Sequence, residues 1–485
     1  MVMISYTTNP VNIDTLVPER YARPITYMLE VIGSHRYRHS VRQAYVDGVQ
    51  PFKDLGIAIP PSLRNIEVAL GWASKALDSV AQRSVFDGFS IPSDDDFGID
   101  DIVEENLLHM ENSKVVYSTL VQASTFQAVF RGDTSAGEPE VVIQAFEATE
   151  ATGIYNSVTK KLAAALTIVN EDQGSIERFL AYFSDVILDF RYDKTYKTWD
   201  VEGYQNTLGV VPVVPITYGS TLARPFGKSY LSREMMNLID AAMRTVARNE
   251  IGAEFFVTPQ RYMLGADPEQ FTDENGNTVP AWDLTMGRLL GIGYNDKEDV
   301  MPEVGTFDTM SPSAGIQLLE SYASQFAAAA KVPISALGVE HANPASAEGV
   351  HAVREDLFKA VEDANRGFGI GYKRLLQMGA ALKNDLDINN LPDELKKLTI
   401  NWRNPATPSV AAAADATMKL VAAGILPADS EVTMRRAGLT EAEIQSLISH
   451  REKYGAIDKL ASLVGNQASS YQSINRLAQN SPVEG

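Results

Sequence analysis

The segment that decides the architecture runs Ser311-Pro-Ser-Ala-Gly-Ile316-Gln-Leu-Leu319-Glu-Ser-Tyr-Ala323-Ser-Gln-Phe326-Ala327-Ala-Ala-Ala330-Lys-Val-Pro333. Ile316, Leu319, Ala323, Phe326, Ala327 and Ala330 recur at intervals of three and four, the spacing of one helix face. Pro312 suits a helix start because the missing N–H has no partner in the first turn. Pro333 ends the run. Upstream, Ser229 to Ile251 shows the same period through Leu231, Met235, Leu238, Ile239, Ala242, Met243 and Val246. Between the two lies 252–310, rich in turn signals: Pro259, Gly265, Pro268, Asp273-Glu-Asn-Gly276, Pro280 and Pro302. Two helices of roughly 30 Å each therefore carry a small β-rich insert at the end of a helical pair.

Downstream, the loop Gly338-Val-Glu-His-Ala-Asn-Pro344-Ala leads to Ser346, a candidate N-cap, and a long helix to about Leu382. Gly367-Phe-Gly369-Ile-Gly371 predicts a kink in it. Thr399 to Trp402 is a strand candidate. Ala-rich helices fill Pro408 to Gly438, Thr440 to Val464 is helical, and Gln467 to Gly485 is a polar tail. Upstream of the pair, a helix is expected from Arg23 to Tyr45. Another follows Pro60-Pro61, with Ser62 as N-cap, the stripe Leu63, Ile66, Leu70, Ala73, Leu77 and Val80, and Gly88 as exit. Ile102 to Gln122 reads as one helix after an acidic, solvated start at 93–105. Glu138 to Trp199 reads as an antiparallel sheet. Leu208 to Tyr218 is an edge strand or arm, since its prolines exclude a central strand. The fold class is α+β, mainly helical.

Charge narrows the function. The 485 residues hold 42 Lys plus Arg against 62 Asp plus Glu, a net charge of −20. A broad phosphate-gripping surface needs the opposite balance. The acidity serves solubility, or a wall that must not stick to DNA. With no cysteine, disulfides, thiol nucleophiles and cysteine-based zinc sites are excluded. His35 and His39 share a helix face, but no HExxH pattern surrounds them, and no metal is expected. There is no signal-peptide pattern and no run of about 20 apolar residues, so a soluble, cytoplasmically made protein without a membrane partner is expected. Gly227-Lys228-Ser229 imitates the end of a phosphate-binding P-loop. The early glycine that the loop requires is replaced by Leu222, Gly219 is too distant, and Pro225 removes an N–H. No nucleophile elbow, Rossmann spacing or singled-out carboxylate pair is present, so no catalytic residue and no cofactor is assigned.

Three stretches in this order resemble the portal proteins of long-tailed phages, over roughly Pro60 to Arg436. The first is Asn206-Thr-Leu-Gly209-Val-Val-Pro212-Val-Val-Pro215, leading through Gly227-Lys-Ser229 into a helix. Another is Ala-Ala-Ala-Ala-Lys-Val-Pro333-Ile-Ser-Ala-Leu337 with the Asn343 to Glu348 loop. The last is Asn401-Trp-Arg403-Asn-Pro405 with Ala423-Gly424-Ile425. The resemblance implies a ring of twelve copies at the head vertex of a virion, assembled in the host cytoplasm, through which double-stranded DNA is packaged and ejected. It implies a wing (1–228 with 333–405), stem helices (229–251 and 312–332), a clip (252–311) and a crown with a mobile tail (406–485). Implied partners are the terminase packaging motor, the neck adaptor, and the major capsid and scaffold proteins. Gly338, Val339, Glu340, His341, Asn343 and Pro344 would form a tunnel loop facing DNA, and Leu319, Phe326, Ala327 and Ala330 would pack the stem. Two alternatives are another head or neck protein without a channel, and a packaging ATPase, which would need the P-loop this chain lacks.

Overall fold

The computed structural model describes residues 12–51, 53, 68–93, 95–172, 174–256, 261–265, 294–295, 299–306, 311, 313–339, 347–406, 410–439, 443–444 and 446–451. The chain divides into two compact units, Met1–Pro405 and Ala406–Gly485.

In the first unit, helices α1 (Ile13–Leu16) and α2 (Glu19–Asp47) precede α3 (Trp72–Ala81) and strand β1 (Phe86–Ser90). Helix α3 begins at Trp72, and Leu70 of the expected stripe is not helical; Ser62, Leu63 and Ile66 lie outside the described residues. Gly88 sits inside β1, with φ +87°, and is not a helix exit. The helix expected over Ile102 to Gln122 is two helices, α4 (Ile99–Glu105) and α5 (Leu108–Gln122), broken at Asn106-Leu107. The break has a physical reason. The Asn106 side chain donates to Val141 O (2.8 Å) and accepts from Ile143 N (2.7 Å), pairing with the outer edge of a sheet as a strand would.

That sheet is three-stranded, ordered β3 (Val141–Glu147), β2 (Ser124–Arg131), β9 (Val213–Thr217). Strand β9 carries Pro215 at an edge, as the prolines require. A second sheet is an antiparallel meander of β4 (Ala151–Asn156), β5 (Lys161–Asp172), β6 (Ser175–Tyr182), β7 (Val186–Asp193) and β8 (Thr198–Gln205). One face of it buries Phe179, Phe190 and Trp199 against Ile25, Met28 and Ile32 of α2. On β6 and β7, Arg178 and Arg191 both bind the buried Asp189. Burial alone would raise that carboxyl, yet the two guanidiniums hold it below the usual carboxylate range.

Helices α6 (Arg233–Phe256) and α7 (Ser313–Ala330) pair antiparallel. The Tyr230 hydroxyl, just before α6, donates to the carbonyl of Ala330 at the end of α7. At the other end, a β-carbon on Gly315 would stand 1.9 Å from Asn249 Oδ1. Helix α6 starts at Arg233, four residues later than its period implies. Between the pair in sequence, β10 (Arg261–Leu264) and β11 (Glu303–Thr306) pair antiparallel, and Asn295 and Val300 form a bridge beside them, among the described residues of the β-rich insert.

Helix α8 (Ala347–Lys383) is the longest, followed by α9 (Asp393–Lys396) and β12 (Thr399–Trp402), which pairs with β1. It runs as unbroken helix through its three glycines. Their role is close approach rather than a break. A β-carbon on Gly371 would meet Ile216 Cδ1 at 2.3 Å, one on Gly367 the Thr217 carbonyl at 3.2 Å, and one on Gly369 the Trp402 indole nitrogen at 3.1 Å. The glycines let α8 lie directly on β9 and β12. The main core gathers α3, α5, α6, α7 and α8 around Phe326, Phe368 and Tyr372.

The second unit holds α10 (Val410–Ala422) and α11 (Glu431–Arg436), with residues 446–451 also helical. Ser430 caps α11 by accepting from Thr433 N. The polar tail lies outside the described residues. The molecule is thus α+β, with the helices carrying the larger core.

Candidate functional site

The chain leaves α7 through Lys331, which takes a left-handed φ of +56°, and enters a single 3-10 turn, Ile334–Leu337. Gly338 closes that turn at φ +84°, and Val339 packs against the main core. Glu340, His341, Asn343 and Pro344 lie outside the described residues. The chain resumes at the start of α8.

The residues expected to pack the stem face inward. Phe326, Ala327 and Ala330 are buried, and Leu319 is half-buried against the same core. The Phe326 ring lies 5.5 Å from the ring of Trp72 in α3. These residues pack α7 inside the subunit. Leu318 (42%) faces away from this core, whereas Ile316 (50%), which shares the stripe of Leu319 and Ala323, is exposed near the start of α7. On α6, the buried Asp240 accepts from Tyr45 (2.8 Å) and pairs with Lys53 (2.6 Å), clamping the end of α2 to α6.

The cation beside Gly338 comes from elsewhere in the chain. Lys75 and Arg83 lie eight residues apart on one side of α3 and its exit, with Ser79 between them. Arg83 donates to Ser79 O at 2.9 Å. The Lys75 ammonium stands 3.9 Å from the position of a β-carbon on Gly338. Burial lowers the Arg83 guanidinium from its ordinary value, and the charge of Arg354 on α8 lowers it further. Lys75 thus stands beside Gly338. Sequence reading missed it because only the fold brings α3 to the 334–337 turn.

Gly227-Lys228-Ser229 has no room for a phosphate. Gly227 N donates to Arg224 O and Lys228 N to Tyr218 O, while Ser229 is buried against Leu120 O. A β-carbon on Gly227 would fall 2.1 Å from Tyr218 O, so glycine serves a tight chain crossing there. His35 and His39 have ring centroids 6.3 Å apart, and His39 is buried. Among the described residues no cluster of three His, Asp or Glu is placed to hold a metal, and no helix is long and apolar enough to cross a membrane.

Comparison with known families matches residues 38–445 to the family described as "Phage portal protein, SPP1 Gp6-like". The chain belongs to this phage portal protein family. Portal proteins of Mycobacterium phages L5 and D29 are each 26% identical to it, over 391 and 393 residues, spanning 79% of this chain and 78% of each relative. Two similar solved structures are titled "Virion of native gene transfer agent (GTA) particle" and "Neck of native GTA particle computed with C12 symmetry". They match at TM-scores of 0.41 and 0.43 and 11% identity, covering 76% of this chain and 90% of theirs. In this portal protein the family match contains α3, the α6–α7 pair, the stretch 338–347 and α8.

Proposed function

We propose that copies of this portal protein close into a ring at the head vertex, twelve by the count the family resemblance implies, and that double-stranded DNA passes through its axis in packaging and ejection. The observation that carries the reading is the α6–α7 pair. Its two helices approach closely at both ends, at Tyr230 and Gly315, it carries the β10–β11 strand pair between them in sequence, and it leaves Ile316 and Leu318 exposed. Exposed apolar side chains on a packed helix pair fit burial against neighbouring copies. In this assignment the pair is the stem and 252–311 the clip, which would dock the terminase motor and later the neck adaptor. Residues 1–228 with 333–405 form the wing, which meets capsid and scaffold, and 406–485 the crown, a division supported by the compact unit beginning at Ala406.

Residues 338–345 would face DNA as a steric collar that resists backward slip. Shortening the loop by Glu340 to Asn343 should leave assembly intact and lower retention of packaged DNA. The protein's role is structural, with hydrolysis left to the motor: the backbone donors of Gly227 and Lys228 are already taken. Lys228→Ala should leave packaging unchanged when the motor is supplied. Negative-stain imaging of the purified protein tests the reading. Rings with an axial hole support it; monomers or sheets make this a head or neck protein without a channel.

A further inference from the structure

We infer that the basic face of α2, carried by Arg38 and Arg42, docks on the acidic end of α4 in the next copy of this chain, around Glu104, Glu105 and the exposed Leu107 and Met110. The inference rests on the portal reading above and deepens it by naming one surface through which successive copies meet.

His35, Arg38, His39 and Arg42 stand at i, i+3, i+4 and i+7 on α2, within an arc of about 100° on one side of the helix. The rings of His35 and His39 lie 6.3 Å apart. His39 is only 6% exposed, and its Nδ1 and the Nε of Arg42 are buried without a hydrogen-bond partner. Arg38 is exposed, as is Tyr37 beside it. Arg36, on the adjoining side of the helix, has its own carboxylate in Glu171. The four residues of the basic face have none among the described residues: the charges acting on His35, His39 and Arg42 are those of one another and of Arg38. Burial holds both histidines below their ordinary value, so near neutral pH the two arginines carry the charge. A cation partly withdrawn from water without a counter-charge costs free energy, which a carboxylate from another molecule would offset.

The end of α4 shows the converse. Asp100 and Glu104 lie one turn apart, with Glu105 next to them, and all three are exposed. Asp101 is answered by Lys383, whereas Asp100 and Glu104 form no ion pair among the described residues. Burial raises the Asp100 carboxyl, and the charges of Asp96, Glu104 and Asp101 raise it further. Glu104 and Glu105 close the helix at its negative end, where carboxylates are unfavourable. Backbone bonds from Leu107 N to Glu104 O (3.0 Å) and from Met110 N to Leu107 O (2.9 Å) set two exposed apolar side chains beside these acids. Each surface therefore joins exposed apolar area to unanswered charge of one sign, and the signs are opposite.

Their separation decides that the contact is between copies. Helix α4 leads directly into the start of α5, whose 15 residues span about 22 Å. At the far end of α5, Gln122 donates to Glu147 (2.6 Å), and Arg36 of α2 donates to the carbonyl of nearby Thr149 (3.0 Å). The basic and acidic faces thus lie toward opposite ends of α5 and do not meet within one subunit. Head-to-tail contacts that close a ring require two such different surfaces. In a chain of net charge −20, copies repel one another overall, and a local pairing of opposite charge fixes their register.

The test uses the full-length protein. One variant carries Arg38→Glu and Arg42→Glu, a second Glu104→Arg and Glu105→Arg, and a third all four. Circular dichroism checks folding, and light scattering reads the protein concentration at which rings form. Each two-residue reversal should raise that concentration at least about tenfold, because like charges then face each other across the contact, and the four-residue variant should return to within about threefold of wild type. If Arg42→Glu unfolds the half-buried site, Arg38→Glu with and without Glu104→Arg gives the same comparison. Folded reversal variants that assemble at the wild-type concentration overturn the docking and leave the ring standing, as does a combined variant that assembles no better than its parents. Wild type that forms no ring at any concentration sinks the portal reading, and this inference with it. Weaker binding of a mixed-sequence DNA duplex by the α2 reversal, with assembly unchanged, would assign the basic face to nucleic acid and overturn the docking.

Discussion

The two faces of α7 make opposite demands, and substituting one residue on each separates subunit stability from assembly. Phe326 is fully buried and rests against Trp72 at 5.5 Å between ring centroids, with Ala323, Ala327 and Ala330 closing the same region. Phe326→Ala removes that ring from a site walled by rigid helices, where the cavity has little room to collapse. Such a change costs about 3–5 kcal/mol, of which the lost aromatic pairing accounts for about 1. Leu318 is different: with 42% of it exposed, it has about half of its burial still to gain. A fully buried leucine is worth about 1.5–3 kcal/mol, so Leu318→Asp should cost the isolated subunit on the order of 1 kcal/mol. In a ring the same change places a charge in each subunit contact, where an unpaired charge costs several kcal/mol. Urea unfolding followed by tryptophan emission reads the first effect, and light scattering the second. Phe326→Ala should lower the midpoint strongly. Leu318→Asp should keep a folded subunit that no longer assembles. A Phe326→Ala midpoint within about 1 kcal/mol of wild type, or an unfolded Leu318→Asp subunit, would refute the assignment of the two faces.

Three further perturbations follow from named contacts. Asn106→Ala removes both bonds to the β3 edge and should destabilise by about 1–3 kcal/mol, with faster hydrogen exchange at Ile143; unchanged exchange there would contradict the edge-pairing role. Gly227→Ala puts a β-carbon 2.1 Å from a carbonyl at φ +80° and should cost at least about 2 kcal/mol, measured as a lower urea midpoint. His39 is pushed down to about 4 by burial first, then by the charges of Arg42, His35 and Arg38. Its folded pKa lies below the unfolded value, so its contribution to stability is complete above about pH 6.5 and is lost as pH falls toward 4, by on the order of 3 kcal/mol. His39→Gln should flatten the stability profile across that window; an unaltered slope would show that the titration lies elsewhere.

The elements legible in the sequence are those whose determinants are local. The stripe of α7, the period of α6 and the β-branched run at 399–402 state their own structure, and β12 ends where its residues say it should. The misread places are those where a distant partner decides. The apolar period runs through Asn106 without interruption, and only the β3 edge explains why the helix breaks there. Three glycines inside α8 suggest a kink until β9 and Trp402 show what must approach them. Gly88 looks like a helix exit because β12, the strand that pairs with β1 on either side of it, lies more than 300 residues away in sequence. The same holds for the candidate site. Gly338 was legible as a turn, whereas Lys75 belongs to a segment whose proximity to it exists only in the fold.

The measurement that bears most directly on the account is a reconstruction of the purified, full-length protein by electron cryomicroscopy. The account predicts a closed ring with an axial opening, the α6–α7 pair at its inner wall, Ile316 and Leu318 buried between neighbouring copies, and the 338–347 connection facing the opening. Monomers, an open array, or a ring with Ile316 and Leu318 exposed to solvent on its outside would contradict it.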